Sequence, residues 1–191
     1  MNAFENIVAE FLESRGFWVR RSVKVPISIE DKKALDRVTM PTPEVDLVAY
    51  SGLKHTLVLV EVKSFLDSTG IWYNCIFGTE KEWKAKHPSA YRIFWDSQYR
   101  RLISKRLRQS LKRGLLDSHV HVTYALVAGK TWDTEEEDKI RQEFRRRKWL
   151  FFGPSELYKW LEKLPERKTY EDDVVTMTAK LILRNTKATG N

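Results

Sequence analysis

An α/β fold, with a mixed central sheet flanked by helices on both faces, is predicted by three features of this 191-residue sequence. Short strand-like runs alternate along the chain with segments whose apolar residues recur at helical spacing. One run, Thr56 to Lys63 (TLVLVEVK), is apolar at nearly every position, as a strand covered on both faces must be. The length suits one well-cored domain, here placed at residues 1–165, with 166–191 as a C-terminal helical extension and frayed tail.

The elements follow in order. Ala3 to Ser14 reads as a helix, because Phe4, Ile7, Val8, Phe11 and Leu12 share one face, and Gly16 ends it. Phe17 to Val25 reads as a strand closed by Pro26. Residues 27–43 are polar and carry Pro41 and Pro43. They predict a loop with a short helical turn near Asp31 to Leu35. Val45 to Tyr50 is a short apolar strand interrupted by Asp46, and Ser51-Gly52 turns the chain into Thr56 to Lys63.

Residues 64–96 form an aromatic-rich insertion containing Trp72, Tyr73, Phe77, Trp83, Tyr91, Phe94 and Trp95. It either packs on itself or forms a mobile flap over a groove. The packed arrangement is favoured by the free energy of burying aromatic area. Ser97 to Leu115 reads as a helix with Tyr99, Ile103, Leu107 and Leu111 on one face and Arg101, Lys105, Arg108 and Lys112 on the other. A strand over Val120 to Ala128, a helix over Thr134 to Arg147 and a short strand over Trp149 to Phe152 follow. In that helix, acids lead and bases close, matching the helix dipole. Ser155 is expected to cap a helix to Leu164, and Asp172 to Leu183 is the terminal helix.

Charge and composition narrow the function. The formal net charge is +8, and residues 90–113 hold eight Lys or Arg against the single acid Asp96. A basic stripe of this kind suits a polyanion such as nucleic acid, although solvated basic helices are common. Cys75 is the only cysteine, which excludes an intrachain disulfide and a cysteine-based metal site. No apolar run approaches a membrane span and the first residues form no apolar signal core, so a soluble, cytoplasmic protein is expected. The glycine-rich phosphate-binding patterns are absent. His119 and His121 share a strand face without a third ligand nearby, which fits a surface pair better than a metal site.

The residues that carry chemistry sit on the two central strands. Glu61 and Lys63 lie two apart and project to one face. If the two strands pair as a hairpin, Asp46 meets Glu61. Two carboxylates at the end of an apolar sheet repel each other and are costly to desolvate, and a divalent cation resolves both problems. Their oxygens suit Mg²⁺ or Mn²⁺. Metal-bound water beside a lysine is suited to phosphodiester hydrolysis. The acid-x-Lys triplet alone has little weight, because Asp31/Lys33, Glu82/Lys84, Glu137/Lys139 and Glu166/Lys168 repeat it in polar or helical surroundings. Only Glu61/Lys63 stands in an apolar strand. The competing explanation is a salt bridge from Lys63 to either acid, with no metal.

PEVDLVAY, a short turn and LVLVEVKSF resemble the core of the PD-(D/E)xK restriction-endonuclease-like nucleases. The likeness is greatest to their archaeal Holliday-junction resolvase and restriction-enzyme-like branches. FENIVAEFLESRGFWV is similar to their first helix. The likeness covers residues 3–65 well, the helix after Ser97 loosely, and the rest little. It implies a restriction-endonuclease-like fold and a Mg²⁺-dependent (or Mn²⁺-dependent) nuclease acting on DNA. Asp46 and Glu61 would be metal ligands, the Val62 carbonyl would complete the metal shell, and Lys63 would act on the attacking water. A first-helix acid would join the site. Helical phase puts that role on Glu5, which is otherwise a solvated first-turn acid. A glutamine on the later helix would be Gln98, or less well Gln109. The Pro-Glu-Val-Asp spelling leaves Pro43 and Asp46 non-adjacent, and Glu44 either assists or is solvated. Arg101, Lys105, Arg108 and Lys112 would hold phosphates without reading bases. A homodimer would suit paired cuts in duplex DNA. The alternative is a non-catalytic nucleic-acid-binding or assembly module on the same fold.

Overall fold

In a computed structural model, which describes residues 2–78, 90–111, 120–166 and 172–188, the chain forms a five-stranded mixed sheet with helices on both faces. The strands are β1 (Trp18–Lys24), β2 (Glu44–Ser51), β3 (Thr56–Lys63), β4 (His121–Ala128) and β5 (Leu150–Phe152), and they lie in sequence order across the sheet. β1, β2 and β3 are antiparallel neighbours, whereas β3, β4 and β5 are parallel. Parallel neighbours need crossover connections, and helices supply them. The α/β expectation holds, with strand bounds shifted by a residue or so from those read in the sequence.

Period-two alternation sorts the sheet into two cores. Leu47 and Ala49 of β2, Val58 and Val60 of β3, and Ala125 and Val127 of β4 face one layer. That layer is α1 (Ala3–Glu13), through Val8, Phe11 and Leu12, and α7 (Pro154–Lys163), through Leu157 and Trp160. Val48, Leu57, Leu59 and Leu126 face the other layer. There α5 (Ser97–Leu111) brings Ile103 and Leu107, and α6 (Thr134–Arg146) brings Ile140 and Phe144. β3 is apolar from Leu57 to Val60 because that stretch is covered on both sides, as its sequence indicated.

The described parts of the aromatic insertion are packed into the core. They include α3 (Tyr73–Phe77) and α4 (Arg92–Trp95), and they bury Ile71, Ile76, Tyr91 and Phe94 there. Phe94 meets Phe144 edge-on with ring centroids 5.0 Å apart. Trp83 lies outside the described residues. At Gly70, φ is +87° and an added Cβ would stand 2.6 Å from the Thr131 carbonyl carbon. Ile71 also exchanges backbone hydrogen bonds with Lys130 and Trp132 there. Gly70→Ala should therefore lower stability by roughly 1–3 kcal/mol through backbone strain. A melting curve that matches the wild type would refute this.

The helical turn expected near Asp31 to Leu35 is present as α2 (Ile29–Ala34), fixed by a reciprocal cap between Ser28 and Asp31, and two other local expectations are corrected. α7 starts at Pro154 with Gly153 as its N-cap, not Ser155, because proline is preorganised for the first helical position and the Glu156 carboxylate takes the Gly153 N–H. The Ser155 hydroxyl instead donates to Glu137 and Glu156. The terminal helix α8 (Val174–Ala188) starts after Asp173, which accepts from the Thr176 N–H, and outlasts the predicted end at Leu183. It packs on α7 and on a 3-10 turn at Leu164–Glu166, where Arg184 donates to the Pro165 carbonyl. The predicted end of α5 beyond Leu111 lies outside the described residues. Among the described residues, no helix is long and apolar enough to cross a membrane.

Candidate active site

Strand pairing builds the site. β2 stays paired with β1 down to Glu44, and β3 stays paired with β4 up to Lys63. Pairing between β2 and β3 stops at Leu47 opposite Val60. The next pair in that register would be Asp46 and Glu61. The two central strands fork there, and the two acids line one cleft at the fork.

The fork leaves backbone groups of β3 without a strand partner, and Asp46 takes one of them. The Val62 N–H donates to Asp46 Oδ2 at 2.7 Å. Lys63 O accepts from Gly129 N on the β4 side, so Val62, one residue earlier, turns both N–H and C=O toward β2. The Val62 carbonyl thus projects to the Asp46 side of the strand, while its side chain is buried in the core under α1.

Electrostatics tie these groups together. Burial and, next, the Glu61 charge push the Asp46 carboxyl up to about 6, against the opposing pull of the Val62 N–H and Lys63. Lys63 Nζ pairs with Glu61 Oε1 at 2.7 Å and lies 5.8 Å from the centre of the Tyr91 ring. Burial is the largest influence on Lys63 and favours its neutral form. Glu61, Asp46 and Glu5 together outweigh it and hold the ammonium above its ordinary range. Glu5 raises Asp46 as well, so the first-helix acid acts on the same cluster. Its carboxylate also accepts from Asn2 Nδ2 at 2.9 Å, and its N–H donates to Asn2 Oδ1, so Glu5 serves the helix cap too.

Asp46, Glu61, Lys63 and Val62 therefore come together, whereas Glu5 acts on them through its charge. Gln98 does not join them: it is exposed and is not among the residues that line the cleft. Gln109 accepts from Arg106 and borders a different groove. Glu44 is exposed at the cleft margin. Arg101, Lys105 and Arg108 share a shallow groove with Val122 and Tyr124, on the side of α5 away from Tyr99 and Ile103, which line the cleft. Lys112 and His119 lie outside the described residues, and His121 is exposed. The basic stripe is thus a neighbouring surface, not a wall of the cleft. Among the described residues, no three His, Cys, Asp or Glu side chains form a ready metal cage. Mg²⁺ keeps several waters and takes one or two carboxylates, so Asp46, Glu61 and the Val62 carbonyl are a donor set that fits it.

Sequence reasoning missed the opposite wall. The open cleft, of about 730 Å³, runs between the forked strands, the 36–43 loop and the start of α5. Arg92 and Tyr99 stand in it with Asp46 and Glu61. In the sequence Arg92 is one charge in a basic stretch and Tyr99 belongs to the apolar face of a helix. A lone arginine among Tyr91, Ile93 and Phe94 was the available signal, since arginine is rarely buried without a task. Compared with family models, curated proteins and solved structures, the chain matches none.

Proposed function

We propose that this chain is a Mg²⁺- or Mn²⁺-dependent nuclease that hydrolyses phosphodiester bonds of DNA, on a restriction-endonuclease-like version of the α/β fold. One observation carries the reading. Asp46 and Glu61 share a cleft at the fork of β2 and β3, where burial and mutual repulsion hold Asp46 up near 6. Such a pair gains most from a cation.

Asp46 and Glu61 would hold the ion with the Val62 carbonyl, an all-oxygen set suited to a hard divalent metal. When bound, the ion supplies charge to the phosphate and acidifies a water. The other roles belong to the chain. The Val62 N–H fixes the Asp46 carboxylate. Lys63 orients Glu61 through their ion pair, and its ammonium would act on the attacking water. Glu5 assists by adding negative charge that keeps Lys63 protonated. The Arg101, Lys105 and Arg108 groove offers a neighbouring track for the phosphate backbone.

A second reading, a non-catalytic nucleic-acid-binding or assembly module, is favoured by the Lys63–Glu61 ion pair, which already neutralises one of the two acids. The deciding experiment incubates the full chain with a panel of labelled DNA and RNA structures in Mg²⁺, in Mn²⁺ and in chelator. Cleavage in either metal and none in chelator is expected. Intact substrates in every lane, with no Mn²⁺ binding, would leave the second reading.

A further inference from the structure

The wall facing the acid pair is cationic and anchored from behind. Arg92 is 7% exposed, yet it lines the cleft. Its Nε donates to Asp96 Oδ2 at 2.9 Å. The other oxygen of Asp96 accepts the Tyr99 N–H at 2.9 Å at the start of α5. One carboxylate therefore fixes both the guanidinium and the helix that carries Tyr99. The Arg92 guanidinium lies 4.4 Å over the Tyr99 ring, which holds its plane. Its Nη1 meets the thioether of Met40, from the 36–43 loop, at 3.2 Å. A thioether is a weak acceptor, so this N–H is satisfied far less well than it would be by an anionic oxygen. Tyr99 also feels the charges of both Arg92 and Glu61. Burial above all, with Glu61 adding and Arg92 opposing, pushes its phenol up to about 12, so it remains a hydrogen-bond donor at neutral pH.

We propose that Arg92 and Tyr99 form an anion clamp that holds the phosphate of the substrate backbone across the cleft from Asp46 and Glu61. The guanidinium and the phenol hydroxyl donate to its non-bridging oxygens. A phosphodiester seated there presents one side to a fixed cation and the other to the acid pair. The proposal assigns the substrate side of the nuclease site and so rests on that reading for its role in catalysis, but anion binding by the clamp is measurable without any turnover.

The test is inorganic phosphate titrated into the full chain in chelator, followed by NMR on arginine Nε–Hε signals. The Arg92 signal is assigned by its loss in Arg92→Lys. A saturable shift is expected, with a dissociation constant of about 1–10 mM. Tyr99→Phe removes one hydroxyl with no packing change and should weaken binding roughly fivefold. Circular dichroism verifies that both variants fold. No saturable shift of the Arg92 signal, or a shift whose midpoint Tyr99→Phe leaves unchanged, overturns the clamp. Cleavage assays separate the two ideas. Phosphate binding at Arg92 without metal-dependent cleavage sinks the nuclease and keeps the clamp. Cleavage that survives Tyr99→Phe with KM unchanged, together with no phosphate shift, keeps the nuclease and sinks the clamp.

Discussion

Asp46→Asn is expected to abolish metal-dependent cleavage and to raise the melting temperature of the metal-free protein. In the proposed mechanism, losing a ligand to the ion would remove several kcal/mol of transition-state stabilisation, about a thousandfold or more in rate. The stability gain has a separate cause. Asn retains an oxygen to accept the Val62 N–H, while the charge that burial and Glu61 disfavour is gone. The folded-state value of about 6 lies above the ordinary 3.8, so folding takes up a proton between those values. The wild type is therefore penalised above pH 6, and the penalty fades as pH falls toward 4. Converted and discounted for partial solvation, it is about 1–2 kcal/mol, or roughly 3–6 °C. Calorimetry of both proteins at pH 7.5 and at pH 4 measures it. A variant that melts below the wild type at pH 7.5 would show that the carboxylate holds the fork together, contrary to this account.

Lys63→Met should also eliminate cleavage but shift stability the opposite way. Removal of the ammonium leaves Glu61 beside Asp46 without its paired cation, and Glu5 adds further negative charge. Breaking a half-buried ion pair of this kind costs about 1–3 kcal/mol. Mn²⁺ should restore part of the loss, because a cation relieves the same repulsion, and chelator should reverse that rescue. Thermal shift with and without Mn²⁺ reads both. If Lys63→Met is destabilised and Mn²⁺ leaves it unmoved, the pair is a structural salt bridge and the metal site falls. The Mn²⁺ rescue, rather than the signs of the two stability shifts, separates a cluster arranged for chemistry from one arranged for stability, since a structural Lys63–Glu61 bridge gives those same signs without any metal.

Residue by residue, the legible and illegible parts of this chain divide along a physical line. The strand TLVLVEVK and the helix faces of Phe11 or Leu107 repeat a local period that burial imposes on any sequence, so they can be read without coordinates. Asp46, Glu61 and Lys63 stand out because charge interrupts that period, and hairpin pairing then brings them together almost by necessity. Helical phase singles out Glu5, whose charge acts on Asp46 and Lys63. The aromatic insertion was legible as buried area but not as a shape, because nothing local says which ring meets which.

The sequence by itself determined the layered α/β class, the strand positions and the three charged residues at the end of β3 and β2, since each depends on neighbours a few positions away. Only the tertiary structure decided that β2 and β3 fork at Asp46, that Arg92 and Tyr99 form the far wall, and that the basic stripe turns toward another groove. Those outcomes depend on contacts between residues tens of positions apart, such as Arg92 with Met40 and Arg106 with Asp31, and packing selects them from many arrangements that local periodicity allows equally.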